Sequence, residues 1–129
     1  MIKSVNFNDG NYYNYIMDEK GKIMKEEKTS GNSSVILQSN FSYTKDGKLE
    51  RTISYYGNII SDKKKFEYDN HYISKLYYST KFGKDNKPKQ TIVVTFKYKF
   101  DKQKNWTEII KNVDGKDKYK WVREIEYYK

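Results

Sequence analysis

The sequence predicts an all-β fold, a single-domain antiparallel meander of about eight strands built from hairpin repeats, as a curved open sheet or a small barrel or sandwich. Three observations predict it. Ala, the best helix former, is absent from all 129 residues while Ile, Tyr, Thr and Phe are plentiful. Apolar residues recur with a period of two. Turn-forming Asp, Asn and Gly punctuate the chain at hairpin spacing.

The first unit runs from Tyr15 through the turn residues Asp18 and Gly21 to Ile23. The charged stretch from Asp18 to Lys28 has the composition of an exposed helix, but its place between turn residues favours a strand. In the second unit, Val35, Leu37, Ser39, Phe41 and Tyr43 alternate up to Lys45-Asp46-Gly47-Lys48, and Leu49, Arg51, Ile53 and Tyr55 alternate after it. Asp-Gly between alternating segments is a strong hairpin signal, because Gly takes a positive φ cheaply. The third unit passes from Tyr68 through Asp69-Asn70-His71 to Tyr72 and Ile73. The fourth passes from Tyr98 and Phe100 through Asp101 to Asn105 and Trp106. Ahead of this last turn lies the clearest strand, where Ile92, Val94, Phe96, Tyr98 and Phe100 alternate with Val93, Thr95, Lys97 and Lys99. The stretch Tyr119 to Lys129 alternates again and is expected to close the sheet. Each unit reads aromatic, acidic turn, apolar, and self-similarity at such spacing marks stacked supersecondary units.

Composition limits the core and the chemistry. Apolar residues make up 36% of the chain and mean hydropathy is -1.07, so the core must be thin or aromatic, and 14 Tyr suit that role. No Cys is present, which excludes disulfides and thiolate chemistry, and His71 is the only His. A His-based triad or His-rich metal cluster is thereby excluded, and phosphate-loop, dinucleotide and zinc-protease motifs are missing. Acid pairs such as Glu124 and Glu126 read as strand-face partners of neighbouring Lys. The expectation is therefore no enzyme, no catalytic or metal residues and no cofactor. The start Met1-Ile2-Lys3-Ser4-Val5 has no apolar leader core, and no window is long and apolar enough for a membrane span. Localisation is left open: cytoplasmic if Met1 is the native start, envelope or secreted if a leader was removed.

The net charge is +9, yet only Arg51 and Arg123 are Arg. Scattered Lys with one run, Lys63-Lys64-Lys65, reads as a solvated surface that blocks edge-to-edge sheet pairing. Function is expected in the surplus of rings. Neighbours on a strand face opposite sides, so one ring of each Tyr pair is expected on a less buried face. The candidate binding residues are Tyr13, Tyr15, Tyr55, Tyr56, Tyr77, Tyr78, Trp106, Trp121, Arg123 and Tyr127.

The stretch Tyr98-Lys-Phe100-Asp101-Lys-Gln-Lys-Asn105-Trp106-Thr107, with Phe66-Glu67-Tyr68-Asp69, resembles the YD repeats of Rhs-type bacterial proteins. Phe100 stands where that pattern has Tyr, and Lys104 where it has Gly. The resemblance implies a meandering antiparallel sheet whose roles are binding and packaging, with no catalytic residue to carry over. The functional expectation is a non-enzymatic protein-binding module, most concretely an immunity or antitoxin-like partner of a bacterial toxin, and its partner is another protein of acidic character. The alternatives are an envelope or extracellular glycan-binding or scaffold module, and single-stranded nucleic-acid binding.

Overall fold

In the computed structural model, which describes residues 2–6, 12–29 and 35–128, the chain runs back and forth as one antiparallel sheet with no helix among the described residues. Its strands are β1 (Ile2–Asn6), β2 (Tyr12–Met17), β3 (Ile23–Thr29), β4 (Val35–Tyr43), β5 (Leu49–Tyr56), β6 (Ile59–Asp69), β7 (Tyr72–Phe82), β8 (Pro88–Phe100), β9 (Trp106–Val113) and β10 (Lys116–Val122). Their order in the sheet is their order in sequence, and β1 and β10 form the two open edges. The sheet is therefore open, not a barrel or sandwich. The ten strands among the described residues exceed the roughly eight expected, in part because Ile2–Asn6, which the alternation does not mark, pairs with β2.

The closing strand is shorter than its alternation suggests. β10 ends at Val122, and residues 123–128 leave the ladder, taking Glu124 and Glu126 with them. Lys120 instead pairs with Glu108 across the strand, at 2.9 Å.

Every strand contacts only its neighbours in sequence. This is a single layer, and its core is correspondingly slight: among the described residues only Ile60, Val94 and Thr52 are buried, and no side chain is fully enclosed. What holds such a sheet must lie within it. All four hairpins at one end of the sheet carry a bulge at the same place. Met24, Glu50, Ser74 and Thr107 are the extra residues, each following directly on Ile23, Leu49, Ile73 or Trp106 near the start of the returning strand. A bulge interrupts the ladder. The carbonyl beside each interruption is taken by the hairpin that follows: Tyr43 donates its hydroxyl to Ile23 O, Tyr68 to Leu49 O and Tyr98 to Ile73 O, each at 2.7 Å. The fourth carbonyl, Trp106 O, accepts instead from Arg123 Nε at 2.7 Å. These acceptors are the apolar residues that end each aromatic, turn, apolar unit, so the repeated sequence encodes a chain of links between hairpins.

Lys side chains add a second link. Lys22 donates to Gly47 O and lies 4.8 Å over the Tyr43 ring, and Lys48 donates to Asn70 O and lies 5.3 Å over Tyr68. Cations over partly desolvated rings contribute modestly to stability.

The turns correct one detail of the sequence pattern. Asp18 accepts from the backbone N–H of Lys20 and Lys22, and Asp101 accepts from those of Gln103 and Asn105. In the second hairpin the corresponding acceptor is Thr44, whose hydroxyl oxygen takes Lys48 N–H at 3.0 Å, while Asp46 sits inside the loop. All three are three-residue loops with the last residue left-handed: Gly21 at φ 81°, Gly47 at 89° and Lys104 at 66°. Lys104 therefore holds a conformation that suits Gly.

Two outcomes follow for stability. Tyr68→Phe loses the bond to Leu49 O and lowers unfolding free energy by about 0.5–1.5 kcal/mol, whereas Tyr78→Phe, on the same face, changes it little; urea denaturation separates them. Lys104→Gly relieves the left-handed residue and raises stability by about 0.5–1 kcal/mol, read by the same midpoint shift.

Candidate functional site

Antiparallel partners directly opposite one another share a face, so the registers sort the side chains into two sets. On one face lie Phe41, Phe66, Leu76, Tyr78, Ile92, Val94, Phe96, Tyr98 and Ile109, with Tyr119 and Trp121 toward the β10 edge. On the other lie Arg51, Lys63, Lys65, Lys75, Lys97 and Lys99. We call these the aromatic face and the basic face.

The aromatic face is densest over β7 to β10. Tyr72 packs against Tyr98 and Phe100 with ring centroids 5.1 and 5.3 Å apart, and Tyr98 stacks on Phe100 at 6.0 Å. Burial, helped by the neighbouring Tyr72, raises the pKa of the Tyr98 phenol above its ordinary value, which keeps it a donor to Ile73 O. A groove of about 910 Å³ opens over these rings, rimmed by Asp69, Asn70, His71 and Lys104. Further toward the edge Tyr119 stacks on Trp121 at 6.0 Å and receives Lys111 over its ring. Phe100 is 48% exposed, Tyr119 60% and Trp121 45%, so this end offers ring surface open to solvent.

The sequence-derived candidates divide between the faces. Tyr13, Tyr15, Tyr56, Tyr78 and Trp121 lie on the aromatic face, and Tyr55 and Tyr77 on the basic one. The Tyr55–Tyr56 and Tyr77–Tyr78 pairs split as alternation requires. Among the described residues no second layer covers either face, and Thr52 and Val94, two of the three buried residues, lie on the aromatic one. Trp106, Arg123 and Tyr127 form a separate cluster at the β8–β9 turn. The Arg123 guanidinium lies 3.9 Å from the Trp106 ring centroid, and Tyr127 donates its hydroxyl to Asp101 while accepting from Asn105 Nδ2 at 2.8 Å. These three fasten residues 123–128 across the β8–β9 turn.

Sequence reasoning passed over Phe100 and Tyr119, which complete the exposed ring surface, and the half-buried Tyr72 that packs beneath Phe100. It also passed over Tyr43 and Tyr68 as links. Their place just before each turn carried the signal, since it recurs in unit after unit. His71 lies exposed in the β6–β7 turn, and among the described residues no three His, Asp or Glu side chains converge as a metal site would. No helix among the described residues is long and apolar enough to cross a membrane. Neither a protein-family model nor a curated protein matches this sequence.

The fastening at Asp101 depends on pH at both ends. The hydrogen bond from Tyr127, offset in part by desolvation, holds the Asp101 carboxyl below the usual carboxylate range, and the same bond pushes the Tyr127 phenol up. A lowered acid contributes fully above its unfolded value and loses that contribution as pH falls through its folded one; a raised phenol contributes below its unfolded value and loses it as pH rises through its folded one. The Tyr127–Asp101 fastening is therefore fully present between the ordinary carboxylate and phenol ranges, and it is lost only as pH falls through the lowered Asp101 value or rises through the raised Tyr127 value. Trp106 fluorescence in a Trp121→Phe background reads that window, which Tyr127→Phe abolishes.

Proposed function

We propose that the protein is a non-enzymatic protein-binding module that receives its partner on the aromatic face at the β7–β10 end. One observation carries this reading: surface area. A compact folded chain of 15.6 kDa exposes about 7,200 Å². This chain exposes 9905 Å². The excess of about 2,700 Å² is more than the roughly 800 Å² that one partner contributes to a standard interface. Where that excess includes rings, with Trp and Tyr the residues most enriched at interface hot spots, a protein partner is the cover that fits. The net charge of +9 favours an acidic partner through faster encounter. The most concrete version, an immunity or antitoxin-like partner of a bacterial toxin, is supported by the repeat resemblance alone.

Glycan binding is a second reading, favoured by the groove over Tyr72, Tyr98 and Phe100. Rings packed at a tilt and bordered by Asp69, Asn70 and His71 combine an apolar floor with hydroxyl-binding side chains.

Co-purification with the products of the genes flanking its own tests the first reading. A stoichiometric complex is expected, and Trp121→Ala is expected to weaken it about 30-fold, as a hot-spot ring does. Val122→Ala, its neighbour on the basic face, leaves affinity unchanged. Absence of any complex with those products, or equal effects of the two variants, overturns the assignment.

A further inference from the structure

The lysine run Lys63-Lys64-Lys65 is not where edge protection would put it. β6 is paired on both sides, to β5 and β7, so it has no free edge to protect. Alternation sends Lys64 to the aromatic face, where it covers the Tyr78 ring at 5.5 Å. Lys63 and Lys65 go to the basic face. There Lys65 is directly opposite Arg51 on β5, and like charges opposite one another destabilise a sheet. Nothing offsets this locally: among the described residues no carboxylate pairs with Arg51, Lys63 or Lys65.

The imbalance extends across the middle of the face. Among the residues in register over β5 to β9, the cations Arg51, Lys63, Lys65, Lys75, Lys97 and Lys99 stand against the carboxylates of Glu67, opposite Lys75, and Glu108, opposite Lys99. Glu108 is already engaged by Lys120 at 2.9 Å and Lys99 at 3.1 Å, which hold its carboxyl below the usual range. In the centre sits Tyr77, with Lys65 and Lys75 over its ring at 5.8 and 5.7 Å. A shallow groove of about 320 Å³ joins Arg51, Ile53, Lys63, Lys65, Tyr77 and Ser79.

We infer that the basic face is a binding surface for single-stranded nucleic acid, held without sequence preference. Such strands need cations spaced along a groove and a ring face on which a base stacks, both of which this face supplies. They do not need the guanidinium forks that read base edges, and Arg51 is the one Arg in this set. Phosphates that draw Lys65 and Lys75 outward free the Tyr77 ring for a base. An acidic protein fits less well, because it would have to match cations spread over a flat sheet with no deep pocket to anchor a side chain. This site lies on the opposite face from the proposed protein interface and does not depend on it.

The test is fluorescence anisotropy of the full chain with a labelled oligodeoxythymidine of about 20 nucleotides. Binding is expected, and five phosphate contacts give a slope of about −3.5 in log K against log salt, or a loss of about 100-fold between 50 and 200 mM. The triple variant Arg51→Gln, Lys63→Gln, Lys65→Gln is expected to weaken binding at least tenfold and to flatten the slope by about 2. It removes the like-charge opposition along with the contacts of Lys63 over Phe82 and Lys65 over Tyr77, and a thermal melt matched to that of the unaltered chain shows that it is folded. A charge-matched control, Lys20→Gln, Lys45→Gln, Lys102→Gln, in turns at the sheet end, retains the slope. Tyr77→Leu lowers affinity and leaves the slope alone. No binding, a flat salt dependence, equal losses in both triple variants, or equal affinity for poly-glutamate of the same charge overturns the inference; the last result would instead mark the face as a site for acidic protein.

Discussion

Everything in the sheet depends on there being no second layer among the described residues. With each strand touching only the strands before and after it in sequence, apolar area is removed from water only by neighbours in the same plane, and no side chain among the described residues becomes fully enclosed. A two-layer domain relies on burial between its layers. Here cohesion falls to cross-strand pairs, to lysine stems laid over rings, and to the hydroxyl bonds that tie each hairpin to the one before it. This is why the apolar fraction can be only 36% and why Tyr dominates it. A ring gives area in a half-wet setting, and its hydroxyl can still make a bond worth about 1 kcal/mol.

The bulges make the hydroxyl bonds possible. A regular ladder would occupy the carbonyls of Ile23, Leu49 and Ile73; an extra residue after each interrupts pairing at the point where a Tyr from the next hairpin arrives. At Trp106 the same position is filled differently: Arg123 supplies the donor, while Tyr127 holds the following residues against Asp101. Residues 123–128 thus serve the β8–β9 hairpin with side chains that are not themselves part of a repeat.

The strands, their period and most turns are legible in the sequence because they depend on local rules. The alternation from Ile92 to Phe100 is one face of β8, and Asp18 to Lys28 forms a turn and a strand instead of a helix. Alternation over-extends the closing strand because the pattern of residue types continues past Val122, while the chain turns away there to serve Trp106 and Asp101. Residue type aligns Asp46 with Asp18, whereas Thr44 makes the equivalent bond. The candidate surface is less legible still. Tyr77 and Tyr78 differ only in parity, and which parity meets Lys65 and which shares a face with Leu76 depends on registers set by bulges that no residue type announces. The role of Lys63 and Lys65 turns on whether β6 is central or an edge, a fact of topology that composition does not contain.

The two faces also explain how one residue type can serve stability and recognition in the same protein. Tyr43, Tyr68 and Tyr98 have their hydroxyls committed to carbonyls, and their rings are covered by Lys or by other rings; removing them costs the sheet a link. Tyr119 and Trp121, on the edge strand β10, stack on each other and leave ring surface outward. The hydroxyl bond therefore sorts the rings. Tyr43, Tyr68 and Tyr98, whose hydroxyls reach the carbonyl at the preceding bulge, and Tyr127, fastened to Asp101, are structural. Phe100 has no hydroxyl to commit, and it, Tyr119 and Trp121 keep rings open to solvent. Where no second layer covers the described strands, surface free for binding is found on the rings that carry no such link.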